Sequence, residues 1–438
     1  MAGTTGLEPA TSDVTGRRSN QLNYVPAEWT SLSYHAVLRA SKPSRLCAKV
    51  TVYSRSADSL GMEGRRQKGT EIGAAIIGCA FLITLISIAW QRVYHGINDF
   101  LQLYAGAKLV GSGLLYSPEA VRQIQMTNAG VWLEGVYYSR LPFYAFLLQP
   151  LGWLPYRAAY AVYQALSLAA VAGFFRLYVP RCRDLIVYGS LCIPLLSVFA
   201  AGQDVSFVLF LAGASLILAE RGRDYEAGLL LALCAIKPHL FVLWPVAVVL
   251  HRRWRVLTGA FAGGLVVLVL NYVAGGPTWP SEYLALLRNP ELHPGGTHMP
   301  NIHGMLASLG CTAPGAELAV SLAVAALTIA AMARSGRYDA AAALSLTGGL
   351  LIGFHAYTQD VALILLTFAV LVPLTQSKAV RVTAAFALLP PFSLMLLMGA
   401  PFSAALPLCL IALIASAAIQ PGTVPEPAPT PQLAEASN

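Results

Sequence analysis

The side chains able to do chemistry in this chain are few, and they sit at the edges of apolar runs. Asp99 lies in "GINDFLQLYAGAKLVGSGLLYSPEAV" (96–121), just after the first such run. A carboxylate there could take a proton from an incoming hydroxyl as a general base. The spacing Asp99-Phe-Leu-Gln102 also fits a capping box, with the aspartate accepting a helix N–H and the glutamine reaching back. A carboxylate tied up in capping is a weaker base. Lys237-Pro238-His239 interrupts "AGLLLALCAIKPHLFVLWPVAVVL" (227–250). Proline breaks the helical ladder, and a bilayer tolerates such a break where it lines a polar cavity or is buried in protein. Lys237 and His239 at that break suit an anionic phosphate, against the bland alternative of a snorkelling lysine beside an incidental kink. Arg140, just ahead of the short run 141–154, is the reserve cation for the same role.

"HAYTQD" (355–360) offers His355 and Asp360 at the mouth of an apolar run, a pair able either to orient a substrate or to cap a helix. In "GQD" (202–204), Gln203 is a weaker substrate-facing candidate and Asp204 reads as an N-cap. The loop 275–314 holds Glu282, Arg288, Glu291, His293, His298 and His303 among many glycines and prolines. The five-residue histidine spacings match no ordinary zinc pattern, so these read as solvated loop histidines and no metal site is expected. Cysteines such as Cys79, Cys192, Cys234 and Cys409 lie inside apolar runs and read as small core residues.

The elements that must position these groups are membrane helices. Of the 438 residues, 56% are hydrophobic and 11% charged, which places the chain among all-α polytopic membrane proteins. The net charge of +8 resides in short clusters between apolar runs, so it reads as the positive-inside pattern and implies no nucleic acid. Candidate spans are 71–90, 156–178, 185–200, 204–219, 255–274, 315–333, 339–354, 360–375, 380–398 and 402–420. Placing Arg181/Arg183, Arg221/Arg223, "HRRWR" (251–255), Arg334/Arg337 and Lys378/Arg381 in the cytoplasm makes 141–154 a re-entrant or interfacial helix. It also makes 227–250 a pair of half-length helices meeting at Lys237-Pro238-His239, and puts Asp99, "GQD", "KPH", "MPNIHG" (299–304) and "HAYTQD" together outside. A rival topology, with 141–154 spanning and 227–250 as one helix, flips "GQD" inward.

Residues 1–70 are polar and lack a signal-peptide run. They are expected to be a disordered or spurious extension: "GTTGLEPATSDVTGRRSNQLNYVP" resembles a peptide recurrent in spurious bacterial reading frames, and Met62 is the expected start. Residues 421–438 read as a disordered Pro-rich tail, leaving 71–420 as one transmembrane domain.

The ordered motifs "NDFLQLYAGAKLVGSGLLYS", "RLPFYAFLLQPLGWLPYRAAYAVYQALSL", "AGQDVSFVLFLAGASLILAERGR", "AGLLLALCAIKPHLFVLWPVAVVLHRRWR", "MPNIHGMLASLG" and "HAYTQDVALILL" resemble glycosyltransferase family 87 over about residues 70–420. This family of GT-C enzymes includes the polyprenyl-phosphate-mannose-dependent mannosyltransferase of phosphatidylinositol mannoside synthesis. The resemblance implies a GT-C fold of about 10–12 transmembrane helices with extracytoplasmic loops, in a bacterial inner membrane. It implies transfer of a sugar from a polyprenyl-phosphate donor; which sugar and which acceptor do not carry over, and the expectation is mannose, a lipid or glycan acceptor and no cofactor. The family's loop aspartate falls on Asp99, its Lys-Pro motif on Lys237-Pro238 and its late histidine on His355. Gln203-Asp204 departs from the family pattern, so the resemblance gives Asp204 no role. A donor with phosphate as leaving group does not oblige a metal, and no DxD motif of the nucleotide-sugar type is present. The main rival is a secondary transporter, since broken helices with Lys, His and Asp also describe solute pathways; no repeat symmetry between halves supports it. A non-catalytic subunit that binds lipid-linked sugar would tolerate loss of Asp99.

Overall fold

The computed structural model describes residues 60–88, 90–289, 296–311 and 313–419. The expectations for residues 1–59 and 421–438, and for Glu291 and His293, lie outside them. The described residues are helical or irregular, with no strand. The helices are α1 (Leu60–Ile88), α2 (Trp90–His95), α3 (Phe100–Leu109), α4 (Pro118–Ala129), α5 (Pro142–Gly152), α6 (Tyr156–Tyr178), α7 (Leu185–Leu191), α8 (Ile193–Ala201), α9 (Val205–Glu220) and α10 (Asp224–Ala232). Two 3-10 turns, Leu233–Ile236 and Pro238–Phe241, lead to α11 (Trp244–Leu250), α12 (Trp254–Gly275), α13 (Trp279–Leu287) and α14 (Ile302–Ser308). Then come α15 (Pro314–Arg334), α16 (Tyr338–Ile352), the 3-10 turn Thr358–Leu363, α17 (Ile364–Leu374), α18 (Lys378–Leu388), α19 (Pro390–Met398) and α20 (Ala405–Ile419).

Among the described residues five stretches are long and apolar enough to cross a bilayer: Gln67–Ile88, Tyr156–Tyr178, Trp254–Gly275, Gly315–Arg334 and Phe402–Ile419. The chain is a multi-pass membrane protein. A sixth span arises if α18 and α19, bent by 54°, are counted together. The other expected spans are shorter; proline cuts several of them, although α9 and α16 hold none. Pro194 in the first turn of α8 separates it from α7, and Pro390-Pro391 starts α19 directly after α18. Among the shorter helices α16 and α17 are buried within the bundle, whereas α18 exposes Val382 and Phe386. Leu344, Leu346 and Leu350 of α16, and Leu365 and Phe368 of α17, are almost wholly buried, as befits helices that are apolar all round. By contrast α12 exposes Phe261, Val266 and Val269 and packs its glycine face on α10. There the backbones meet so closely that a Cβ at Gly259 would lie 2.0 Å from the Tyr225 carbonyl oxygen.

The run 227–250 is a hairpin of half-length helices. The ion pair from Arg253 to Asp224, at 3.2 Å, holds the start of α10 against the end of α11, so the segment enters and leaves at one end with Lys237 at its tip. That end gathers the basic residues: Arg183 pairs with Glu71, Arg181 with Glu220, and Arg253 also lies over Tyr338. α9, of 16 residues and hence about 24 Å long, separates this end from Asp204. α5, of 11 residues, is only about 17 Å long and cannot span. It packs on α3 and α12, and the Phe143 N–H at its start donates to the Asn271 side chain at 2.7 Å. The rival topology fails because Gln203 lies against Asp99, on the same side of the fold.

Candidate functional site

Four chain segments bring their ends together around Asp99. The sharp turn at Gly202 (φ +64°) closes α8 and delivers Gln203 and Asp204 to the start of α9. A Cβ at Gly202 would come within 2.5 Å of the Asn98 side-chain oxygen, so glycine is required both for the turn and for the approach of residues 98–100. The Asp99 N–H donates to the Ala201 carbonyl at 3.0 Å, tying the two segments together. From the hairpin tip comes Lys237, and from the turn ahead of α17 comes Asp360. Arg140 enters from the segment just before α5.

The capping box expected at Asp99 is absent, because the Asp99 side chain makes no capping hydrogen bond to α3. Asn98 accepts the Phe100 N–H instead, at 3.1 Å, and its amide donates to the Ala200 carbonyl and the Tyr160 hydroxyl. The Gln102 side chain accepts from the Ser139 hydroxyl rather than reaching back. The Asp99 carboxylate therefore stays clear of backbone capping and receives the Gln203 amide. Burial pushes it up to about 7, opposed by the Gln203 hydrogen bond and the nearby Arg140 and Lys237 charges and assisted by Asp204.

Two cations and two further carboxylates interlock beside it. Arg140 Nε donates to Asp204 at 2.6 Å, and a second guanidinium nitrogen approaches Gln203 Oε1 and the other Asp204 oxygen, each at 3.4 Å. Lys237 Nζ lies 2.7 Å from Asp360 and 3.5 Å from Asp204. The Lys237 side chain is 2% exposed and that of Arg140 11%, so Arg140 is the more accessible of the two cations. Lys237 does not snorkel. Asp360 also accepts the Tyr357 N–H at 2.8 Å, so it caps the turn before α17 and binds the lysine together. With Asp99 protonated the cluster holds two cations against two anions. Burial is the main reason that this proton is retained to about neutral pH, since the Gln203 hydrogen bond and both cations act the other way.

His239 and His355 stand within reach of each other's charge and of Asp360. Burial lowers His355 to about 3, so it is neutral at pH 7 and can donate or accept one hydrogen bond. Its ring meets Tyr357 edge-on at 4.5 Å. The "MPNIHG" segment docks through Asn301, which donates to the Gly353 carbonyl two residues before His355. His298 lies against the Leu396 carbonyl, while His303 pairs with Glu317 at 3.0 Å. Among the described residues no group of three or more His, Cys, Asp or Glu could hold a metal ion.

Sequence reasoning gave Asp204 only a capping role, whereas its side chain makes no capping bond and joins both cations. Asn98 and Asn271 were missed altogether. Asn98 carries a readable signal, since asparagine is as strong an N-cap type as aspartate and stands beside Asp99.

Residues 141–358 match the family model of glycosyltransferase family 87, and this stretch is a domain of that family. It contains Gln203, Asp204, Lys237, His239 and His355; Asp99, Arg140 and Asp360 flank it. A glycosyltransferase domain sets aside the secondary-transporter alternative. No curated protein and no solved structure matches the chain.

Proposed function

Starting from a glycosyltransferase family 87 domain in a multi-pass membrane chain, we propose that the protein transfers a sugar, mannose, from a polyprenyl-phosphate donor to a lipid or glycan acceptor. The observation that carries this reading is a buried carboxylate near neutrality, Asp99, beside the Arg140–Asp204–Lys237–Asp360 cluster. The acceptor oxygen attacks the anomeric carbon while Asp99 takes the hydroxyl proton. The bond from that carbon to the phosphate oxygen breaks, and its electron pair leaves on the lipid phosphate. Arg140 meets the phosphate first, with Lys237 behind it and neutral His239 and His355 as hydrogen-bonding partners. Gln203 orients Asp99, and Asp360 holds Lys237 in place.

Purified protein in nanodiscs with radiolabelled polyprenyl-phosphate-mannose and a membrane lipid extract is expected to move label into the acceptor, with chelator present. Transfer from a nucleotide sugar instead, or none from the lipid donor, would overturn this reading. The rate should also follow the Asp99 proton. It should rise with pH through about 7 and be about tenfold lower at pH 6 than on the plateau, because only the ionised carboxylate accepts a proton. A profile flat from pH 5 to 8 would remove Asp99 from the chemistry. Stability has the opposite slope: the folded state holds this proton more tightly than the unfolded chain, so Asp99 costs stability as pH rises from about 4 through 7.

The site faces the outside of a bacterial inner membrane in this reading, since the basic end is cytoplasmic. Gly202 is buried with positive φ and would not accept a reporter cysteine, but Ser112 and Arg221 are exposed. In a background freed of native cysteines, Ser112→Cys should react with an impermeant thiol reagent in intact cells, and Arg221→Cys only after permeabilisation. The reverse pattern would invert the orientation.

A further inference from the structure

A second cluster lies where two spanning helices reach the surface of the bilayer. The apolar stretch of α1 ends at Ile88, and that of α6 begins at Tyr156. The Tyr156 hydroxyl donates to the Gly96 carbonyl and the Asn98 amide to the Tyr160 hydroxyl, so the link from α2 to Asp99 is bonded to the start of α6. Gly96 (φ +70°) permits this approach, since a Cβ there would lie 2.9 Å from the Tyr160 ring. Around the junction Trp90, Tyr94 and Trp153 are exposed although large and aromatic. Such rings sit at headgroup level, where one end meets hydrocarbon and the other meets water.

The polar groups of this patch are donors. Trp90 stacks on Tyr94 with ring centroids 4.9 Å apart, and the guanidinium of exposed Arg157 lies over the Tyr94 ring at 5.8 Å. One Arg157 nitrogen donates to His95 Nδ1 at 2.7 Å; arginine only donates, so the proton of that ring is on Nε2. Among the described residues the side-chain partners of Arg157 are this imidazole and the Tyr94 ring, neither of them a carboxylate. One positive charge therefore stands uncompensated at headgroup depth, with N–H groups left to donate. A phosphate answers both features, because its oxygens match the guanidinium fork and its charge is opposite. The acyl chains of a phospholipid held there would lie along exposed apolar side chains of the two helices, Ile83 of α1 and Leu168 of α6 among them. A zwitterionic lipid also carries a phosphate, but its ammonium group cancels the attraction.

We propose that Arg157, with His95 beside it, binds the headgroup phosphate of an anionic phospholipid at the bilayer surface, next to the segment that carries Asp99. This lipid site is independent of the sugar-transfer reading. Its test places a bimane fluorophore on Ala158→Cys, an exposed position next to Arg157, in the full chain freed of native cysteines and held in phosphatidylcholine nanodiscs. Brominated phosphatidylglycerol and, at the same mole fraction, brominated phosphatidylcholine serve as quenchers. One uncompensated arginine at the surface corresponds to a roughly fivefold local enrichment of an anionic lipid, so phosphatidylglycerol should quench at a correspondingly lower fraction. The preference should vanish in Arg157→Gln and shrink in high salt. It should persist in part in Arg157→Lys, which keeps the charge without the planar fork. Thermal unfolding, run in parallel, should give the same midpoint for all three proteins, because the Arg157 side chain is exposed. Equal quenching by the two lipids in the Arg157 protein, or a preference that survives Arg157→Gln unchanged, would overturn the proposal.

Discussion

Asp99→Asn is expected to lower turnover by about 10²–10⁴ while the protein folds normally and still binds its donor. The substitution keeps the shape of the side chain, and its amide oxygen can still accept from Gln203. The α3 N-terminus is untouched, because Asn98 rather than Asp99 caps it. What is lost is the ability to take a proton near neutral pH. The variant also removes the cost of ionising a buried carboxylate, so above pH 7 its thermal midpoint should equal or exceed that of wild type. Asp99→Ala, by contrast, leaves the buried Gln203 amide without this acceptor and should be less stable by about 1–3 kcal/mol. Both variants are compared with wild type for sugar transfer from the lipid-phosphate donor and for thermal unfolding in detergent. Full activity in Asp99→Asn would end the general-base assignment and turn attention to Asp204 and Asp360, each already held by a cation.

The parts of the fold legible in the sequence are those where one residue type cannot be accommodated otherwise. A lysine next to proline inside an apolar run has no regular helical solution, and 227–250 folds as a broken hairpin. Charge clustering likewise gave the end of the fold at which Arg181, Arg183 and Arg253 meet. Hydropathy was less informative about length. The run 185–200 looks like one span, but its first-turn proline makes it two short helices, and burial within the bundle removes the need to cross lipid alone. The capping-box spacing at Asp99 failed for a tertiary reason: the Gln203 amide competes for the carboxylate, and Asn98 is available to replace it at the helix end. Asp204 was underrated because its partners, Arg140 and Lys237, lie far away in sequence, and no local pattern announces an ion pair made across three segments.

Lys237→Met is expected to destabilise the protein by about 3–5 kcal/mol, because it strands Asp360 as a buried carboxylate without the lysine that neutralises it. Asp204 suffers less, since Arg140 remains 2.6 Å away. Loss of activity in this variant alone would therefore not distinguish a structural lysine from one that binds phosphate. The double variant Lys237→Met/Asp360→Asn makes that distinction. It removes both charges of the closest pair, and asparagine can still accept the Tyr357 N–H, so most of the lost stability should return. If Lys237 also faces the donor phosphate, the refolded double variant should still bind polyprenyl-phosphate-mannose about 10- to 150-fold more weakly than wild type, corresponding to a charge-assisted contact of about 1.5–3 kcal/mol. Calorimetric titration of the donor into wild type and double variant in nanodiscs reads this difference, with thermal unfolding as the parallel measurement. Wild-type donor affinity in a stable double variant would confine Lys237 to holding the cluster together and leave Arg140 as the phosphate-binding cation.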